Sequence, residues 1–110
     1  MEKTRLTLHQ TLVDILGSNN VYYNPPETLQ MKFPCIVYNL DYIEDMHADN
    51  SKYIDWTTYK IYVVSKKVDH PAIRQILNIP MTRFSTRYVR DGLYHDVIIL
   101  KQKEKQICQS

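Results

Sequence analysis

Asp91-Gly92 stands between two strand-like runs, "FSTRYVR" at 84–90 and "LYHDVIILK" at 93–101. This dipeptide constrains the chain more than any other feature. Asp-Gly takes up two positive φ angles at little cost, and a type I′ turn of that kind twists in the sense that two antiparallel strands need. The C-terminal third is therefore expected to be a β-hairpin.

Two longer runs extend the same argument. In "CIVYNLDYIED", 35–45, Ile36, Tyr38, Leu40 and Tyr42 alternate with Val37, Asn39, Asp41 and Ile43, which predicts a strand with two unlike faces. "YIDWTTYKIYVVS", 53–65, is rich in β-branched and aromatic residues and places Tyr59, Ile61 and Val63 together. The segment between them, "EDMHADNSK", is polar and reads as an exposed loop projecting beyond the sheet.

Helical spacing occurs in two places. Leu8, Leu12, Ile15 and Leu16 make an apolar stripe over residues 4–16, with Leu6 and Val13 beside it and Gly17 where a helix favours a left-handed residue. "DHPAIRQILNIP" offers Asp69 as a cap, an early Pro71, the apolar set Ile73, Ile76 and Leu77, and a stop at Pro80. Between the first helix and Cys35, "VYY" at 21–23 predicts a short edge strand, and Pro25-Pro26 with Pro34 predicts an ordered loop. The order is helix, short strand, strand, strand, helix, strand, strand. It gives one α+β domain over 1–110, a largely antiparallel twisted sheet with both helices packed on one face, and a flexible C-terminal tail at 101–110.

Composition narrows the functional classes. The formal net charge of +2 is far from the balance of a dedicated nucleic-acid binder. Cys35 and Cys108 have no CxxC spacing, and "MEKTRLTLHQ" lacks a secretory apolar core, which favours a reducing site of synthesis. No apolar run approaches the ~18 residues of a membrane span. Two glycines leave no phosphate-cradling loop, and no Ser or Cys stands in a nucleophile motif, so no enzyme activity and no cofactor are expected.

The histidines invite a metal or acid-base reading. His95 and Asp96 are adjacent on a strand, where successive side chains point to opposite faces, so the pair is not a compact site. A half-buried strand histidine bonded to a neighbour is the commoner arrangement. His9 and His70 have no second ligand one turn away, and His47 with Asp49 in the polar loop is at most a weak metal site.

Nine tyrosines, one tryptophan and two phenylalanines are the unusual feature. Tyr59 and Tyr88, with Lys60, Arg87, Arg90 and Lys101 among the aromatics, could stack single-stranded bases. Tyrosines on a sheet more often pack, or sit at protein interfaces. Charge is also uneven: Asp41, Glu44, Asp45 and Asp49 cluster in one stretch, and Lys101, Lys103 and Lys105 in another. Such blocks are usually solvated surface, but in a head-to-tail ring opposite patches could meet, or the acidic stretch could line a lumen and repel a polyanion.

The series "VYYNPPE", "FPCIVY", "ADNSKYID" and "DGLYHDVI", in this order within so short a chain, resembles the tail-terminator, or tail-to-head joining, proteins of long-tailed bacteriophages and prophages. The resemblance covers residues 6 to 100. It implies an α+β fold and a homo-hexameric ring seated on the last ring of the tail-tube protein, at the head-proximal end of the virion tail, assembled in the host cytoplasm. The implied partners are further copies of the chain, the tail-tube protein and the head-completion connector, with genomic DNA passing the lumen unread and no membrane involved. Exposure and composition, not the family, nominate Met46, His47, Asp49 and Tyr53 of the polar loop as an axial or luminal contact. They likewise nominate Tyr22, Tyr23, Tyr42 and Trp56 as interface aromatics. Another minor tail-completion or connector protein, a nucleic-acid-binding domain and a small metal enzyme using His47 or His95 are the alternatives; connectors of the stopper type are usually β-barrels, and two helices argue against that form.

Overall fold

A computed structural model describes the backbone of residues 2–48 and 52–107 and the side chains of 5–43 and 56–102. The elements are α1 (Glu2–Leu16), β1 (Val21–Tyr23), β2 (Cys35–Ala48), β3 (Lys52–Ser65), α2 (Pro71–Leu77), β4 (Thr82–Arg90) and β5 (Leu93–Ile107). They form an α+β domain around one five-stranded sheet of order β1-β2-β3-β5-β4. Every neighbouring pair is antiparallel except β1 with β2, which is parallel because residues 24–34 carry the chain back along the sheet before β2 begins.

One face of the sheet meets both helices. Its rungs are Ile36–Val63–Asp96, Tyr38–Ile61–Ile98 and Leu40–Tyr59–Leu100. Leu8 and Leu12, one turn apart on α1, and Ala72, Ile73 and Ile76 of α2 pack on those rungs to make the core. Each fully buried aliphatic side chain there contributes about 1.5–3 kcal/mol over its exposed state. Leu6, beside the stripe, is exposed. Gly17 ends α1 at φ +80 while its N–H bonds Val13 O at 2.8 Å, and Asp91 and Gly92 both take positive φ, as the hairpin turn requires.

The cap of α2 is His70 rather than Asp69. His70 has extended backbone angles, and its Nδ1 accepts from Ala72 N at 3.1 Å. Asp69 lies one residue earlier in the left-handed region at φ 57, outside the conformation an N-cap needs, and instead pairs with Arg74 at 3.3 Å.

The larger departures from the sequence reading concern strand length. β2 continues to Ala48 and β3 begins at Lys52, so most of the expected polar loop is strand, and only 49–51 lie outside the described residues. β5 likewise runs to Ile107, paired with β3 through Lys52↔Ile107, where a flexible tail was expected from 101. Beyond the Leu40–Tyr59–Leu100 rung, β2, β3 and β5 thus continue past β1 and β4 as a three-stranded arm, with Thr57 still buried at its base. The molecule is correspondingly elongated, 51 × 26 × 23 Å.

Candidate assembly surface

The arm begins at an irregularity. The β2–β3 register shifts between Leu40 and Tyr42, leaving Asp41 as an extra residue, so that Tyr42 faces Thr58 and Ile43 faces Thr57. A bulge of one residue exchanges the faces of everything after it. Leu40 therefore belongs to the helix face, but Tyr42 turns to the opposite one, away from the residues with which simple alternation grouped it. Tyr42 is 58% exposed and Ile43 46%, so both faces of the arm carry uncovered apolar surface at its base.

The face away from the helices continues from body to arm. Its rungs in the body are Cys35–Val64–His95–Tyr88, Val37–Tyr62–Val97–Thr86 and Asn39–Lys60–Ile99–Arg83. Met31 and Phe33, from the loop before β2, lean over part of it and bound a shallow groove of about 390 Å³ with Val37, Tyr62, Tyr88 and His95. Cys35 is fully buried there, and desolvation pushes its thiol up to about 11. His95 is half-buried, its Nδ1 3.1 Å from Leu93 O, with the Tyr88 ring stacked on it at 4.7 Å. Further along, Trp56 lies half-buried beneath Lys101, whose Nζ is 5.3 Å from the ring centroid.

Asp96 points the other way, into the core, where it is 1% exposed. Arg87 of β4 donates to its carboxylate across the rung, and that hydrogen bond raises the guanidinium above its ordinary pKa. The adjacent His95 and Asp96 thus serve opposite faces with different partners.

The nominated residues divide between these settings. Tyr23 is not a surface aromatic: its ring sits 4.9 Å from Tyr38 and 6.4 Å from Tyr59, with the Arg5 guanidinium 4.4 Å above it. Tyr22 is half-buried, and its hydroxyl accepts from Lys32 N at 3.3 Å, which ties β1 to the following loop. Tyr42 and Trp56 share the open face at the base of the arm. Met46 and His47 are on β2 and Tyr53 on β3, with His47 opposite Tyr53 in register; their side chains, and Asp49 altogether, lie outside the described residues. Tyr59, a base-stacking candidate by composition, is 3% exposed under the helices.

One polar network in the core escaped sequence reasoning. Tyr38 is fully buried, its hydroxyl 2.7 Å from His9 Nδ1 and within 3.4 Å of Arg5, which donates to it. Burial, then the nearby Arg5 charge, lowers the pKa of His9, which suits a neutral ring accepting the tyrosine proton. The i, i+4 placement of Arg5 and His9 on α1 is the only trace of this in the sequence.

Among the described residues no three His, Cys, Asp or Glu side chains converge as metal ligands, and no helix is long and apolar enough to cross a membrane. Fold and surface define a single-sheet α+β protein with a protruding β arm. No family model matches the chain, and no curated protein is significantly similar to it.

Proposed function

We propose that this chain is a structural subunit of a long-tailed phage or prophage, which assembles with further copies into a ring on the end of the tail tube, ends its polymerisation and presents a joining surface to the head. The observation that carries the reading is the arm: three strands that run on past β1 and β4, with Tyr42 and Ile43 exposed on opposite faces at the base. A projecting sheet of this kind is costly to leave in water and gains by contact with a neighbour. A contact between two different surfaces of identical subunits closes into a ring when its rotation permits, and a ring lacking a second extending face stops growth. The motif series "VYYNPPE", "FPCIVY", "ADNSKYID" and "DGLYHDVI" supports the tail assignment specifically. In this role the partners are the chain itself, the tail-tube protein and the head connector; DNA passes through the lumen, and no catalytic step or cofactor is involved.

Electron microscopy of an induced lysate lacking this gene tests the proposal. Overlong tails beside filled, tailless heads are expected, and complementation restores normal particles. Tails of normal length detached from heads would restrict the role to joining, and intact infectious particles would remove it.

A second reading, binding of single-stranded nucleic acid, has one observation in its favour. Lys60, Arg83 and Arg90 share the open face with the stacked Tyr88 and His95. It predicts oligonucleotide binding that weakens steeply with salt and is lost on Tyr88→Ala. Absence of binding at low salt excludes it.

A further inference from the structure

The arm has two open strand edges, and they are not alike. β1 accompanies β2 only as far as Tyr23↔Tyr38, so among the described residues nothing pairs with the outer edge of β2 from Asn39 to Ala48. On the other side β4 reaches β5 at Thr82↔Leu100, and Lys101 N bonds Met81 O. From Gln102 to Ile107 the outer edge of β5 is likewise without a strand among the described residues. Each edge presents a row of backbone N–H and C=O groups.

Charge and direction say which edges suit each other. Residues 39–48 contain Asp41, Glu44 and Asp45 with no Lys or Arg, whereas 102–107 contain Lys103 and Lys105 against Glu104. Glu44, Trp56 and Lys103 occupy one rung. Two copies joined by a two-fold axis would set β2 against β2, or β5 against β5, with like charges adjacent, which is destabilising. Joining β2 of one copy to β5 of the next sets acidic beside basic. Because β2 and β5 both run antiparallel to β3, they run in the same direction, so copies related by rotation about an axis along the strands meet with these two edges parallel.

We infer that the outer edges of β2 (39–48) and β5 (102–107) are the two halves of one contact between copies, β5 of each adding in parallel to β2 of the next. The inference rests on the ring reading and gives its interface. Around a closed ring the arms then form one continuous sheet in which every edge is used, and an incoming subunit finds no free edge within the ring.

Two variants test this, Glu44→Lys/Asp45→Lys and Lys103→Glu/Lys105→Glu. The first makes both edges basic and the second makes both acidic. Sedimentation velocity is expected to show each alone self-associating at least about tenfold more weakly than wild type, and an equimolar mixture recovering assembly. The chain carrying all four substitutions recovers it as well. Should either variant fail to fold by circular dichroism, Glu44→Cys and Lys103→Cys chains, each also Cys108→Ser, are mixed with a short bis-maleimide. A cross-linked heterodimer is expected from the mixture and no dimer from either chain alone.

Wild-type assembly with both reversed variants equally competent overturns the edge contact, as does a monomeric wild type at millimolar concentration or a mixture without heterodimer. The ring reading is judged separately, by tail length in the deletion lysate. Intact infectious particles there would sink that reading whatever the edges do.

Discussion

The same three strands pass through two regimes. In the body, β2, β3 and β5 contribute aliphatic and aromatic rungs to one face, and two helices cover it; Ile36, Ile61 and Ile98 are fully buried. A few residues on, past the last rung of the core cluster, the same strands carry exposed Tyr42 and Ile43 beside a buried Thr57, and then a mixture of charges. The sheet continues because backbone pairing does not require a core, but its stability does. Body and arm therefore separate two requirements, one met within the chain and the other, on the ring proposal, by a neighbouring copy.

The comparison breaks most visibly if substitutions in the two regions cost the same. Ile61→Ala removes most of a fully buried side chain from the central strand of the body. It is expected to destabilise by about 3 kcal/mol, a fall in melting temperature on the order of 15 °C for a domain of this size. Calorimetry on the purified protein measures it; a shift of a degree or two would mean that the helices do not make this core.

Arg87→Leu is the next largest change. It leaves the Asp96 carboxylate in the core without the cation that β4 supplies. Asp96 is buried while Arg87 is exposed, and leaving a buried carboxylate without its partner costs more than removing both charges. The urea midpoint at neutral pH should fall for Arg87→Leu and partly recover in Arg87→Leu/Asp96→Asn. A single variant as stable as wild type would show that β4 is held by its backbone alone.

Acidification probes the body, because the two histidines with lowered pKa among the described residues, His9 and His70, belong to it. Burial is the larger cause for each, with Arg5 adding to it at His9 and Lys67 at His70. Their folded values lie below the ordinary 6.5, so on acidification the unfolded chain takes up protons first. The associated stability is full above that value and is lost as pH falls from it toward the lowered folded pKa values. Protonation of His70 also removes the acceptor that caps α2. Urea midpoints should decline from neutral pH to about pH 5. His70→Asn, which caps without titrating, should flatten part of the decline; an unchanged slope would assign all of it elsewhere.

What the sequence made legible follows the same division. The body was readable because its faces are unlike: Leu8 and Leu12 one turn apart, Tyr59, Ile61 and Val63 two apart, and Asp91-Gly92 at a turn that needs positive φ. The arm was not: "EDMHADNSK" and "KQKEKQI" lack the alternation that marks a half-buried strand and read as loop and tail. The bulge at Asp41 has no one-residue signature, and it moved Tyr42 to the other face. Asp69 lost the cap to His70 through a backbone angle that composition does not encode. Of the candidate interface residues, Tyr42 and Trp56 lie on open sheet surface at the base of the arm, while Tyr23 turned inward to a tyrosine cluster that only the parallel pairing of β1 with β2 brings together.

The smallest expected effect on stability is the most informative about the arm. Tyr42 is 58% exposed, follows the bulge and has no place in the core cluster, so Tyr42→Ala should change the unfolding free energy by no more than about 0.5 kcal/mol. Its ring nonetheless lies beside the edge through which copies are proposed to join. Aromatic side chains contribute disproportionately to such contacts, and truncating one commonly costs more than 1 kcal/mol of association, roughly a fivefold loss or more. Unfolding and self-association measured on one preparation decide between the two regimes. A variant that melts like wild type but assembles poorly places Tyr42 in the contact between copies. One that melts early and assembles normally would make the base of the arm part of the body, and the division between covered and uncovered sheet would have to be redrawn beyond Ile43.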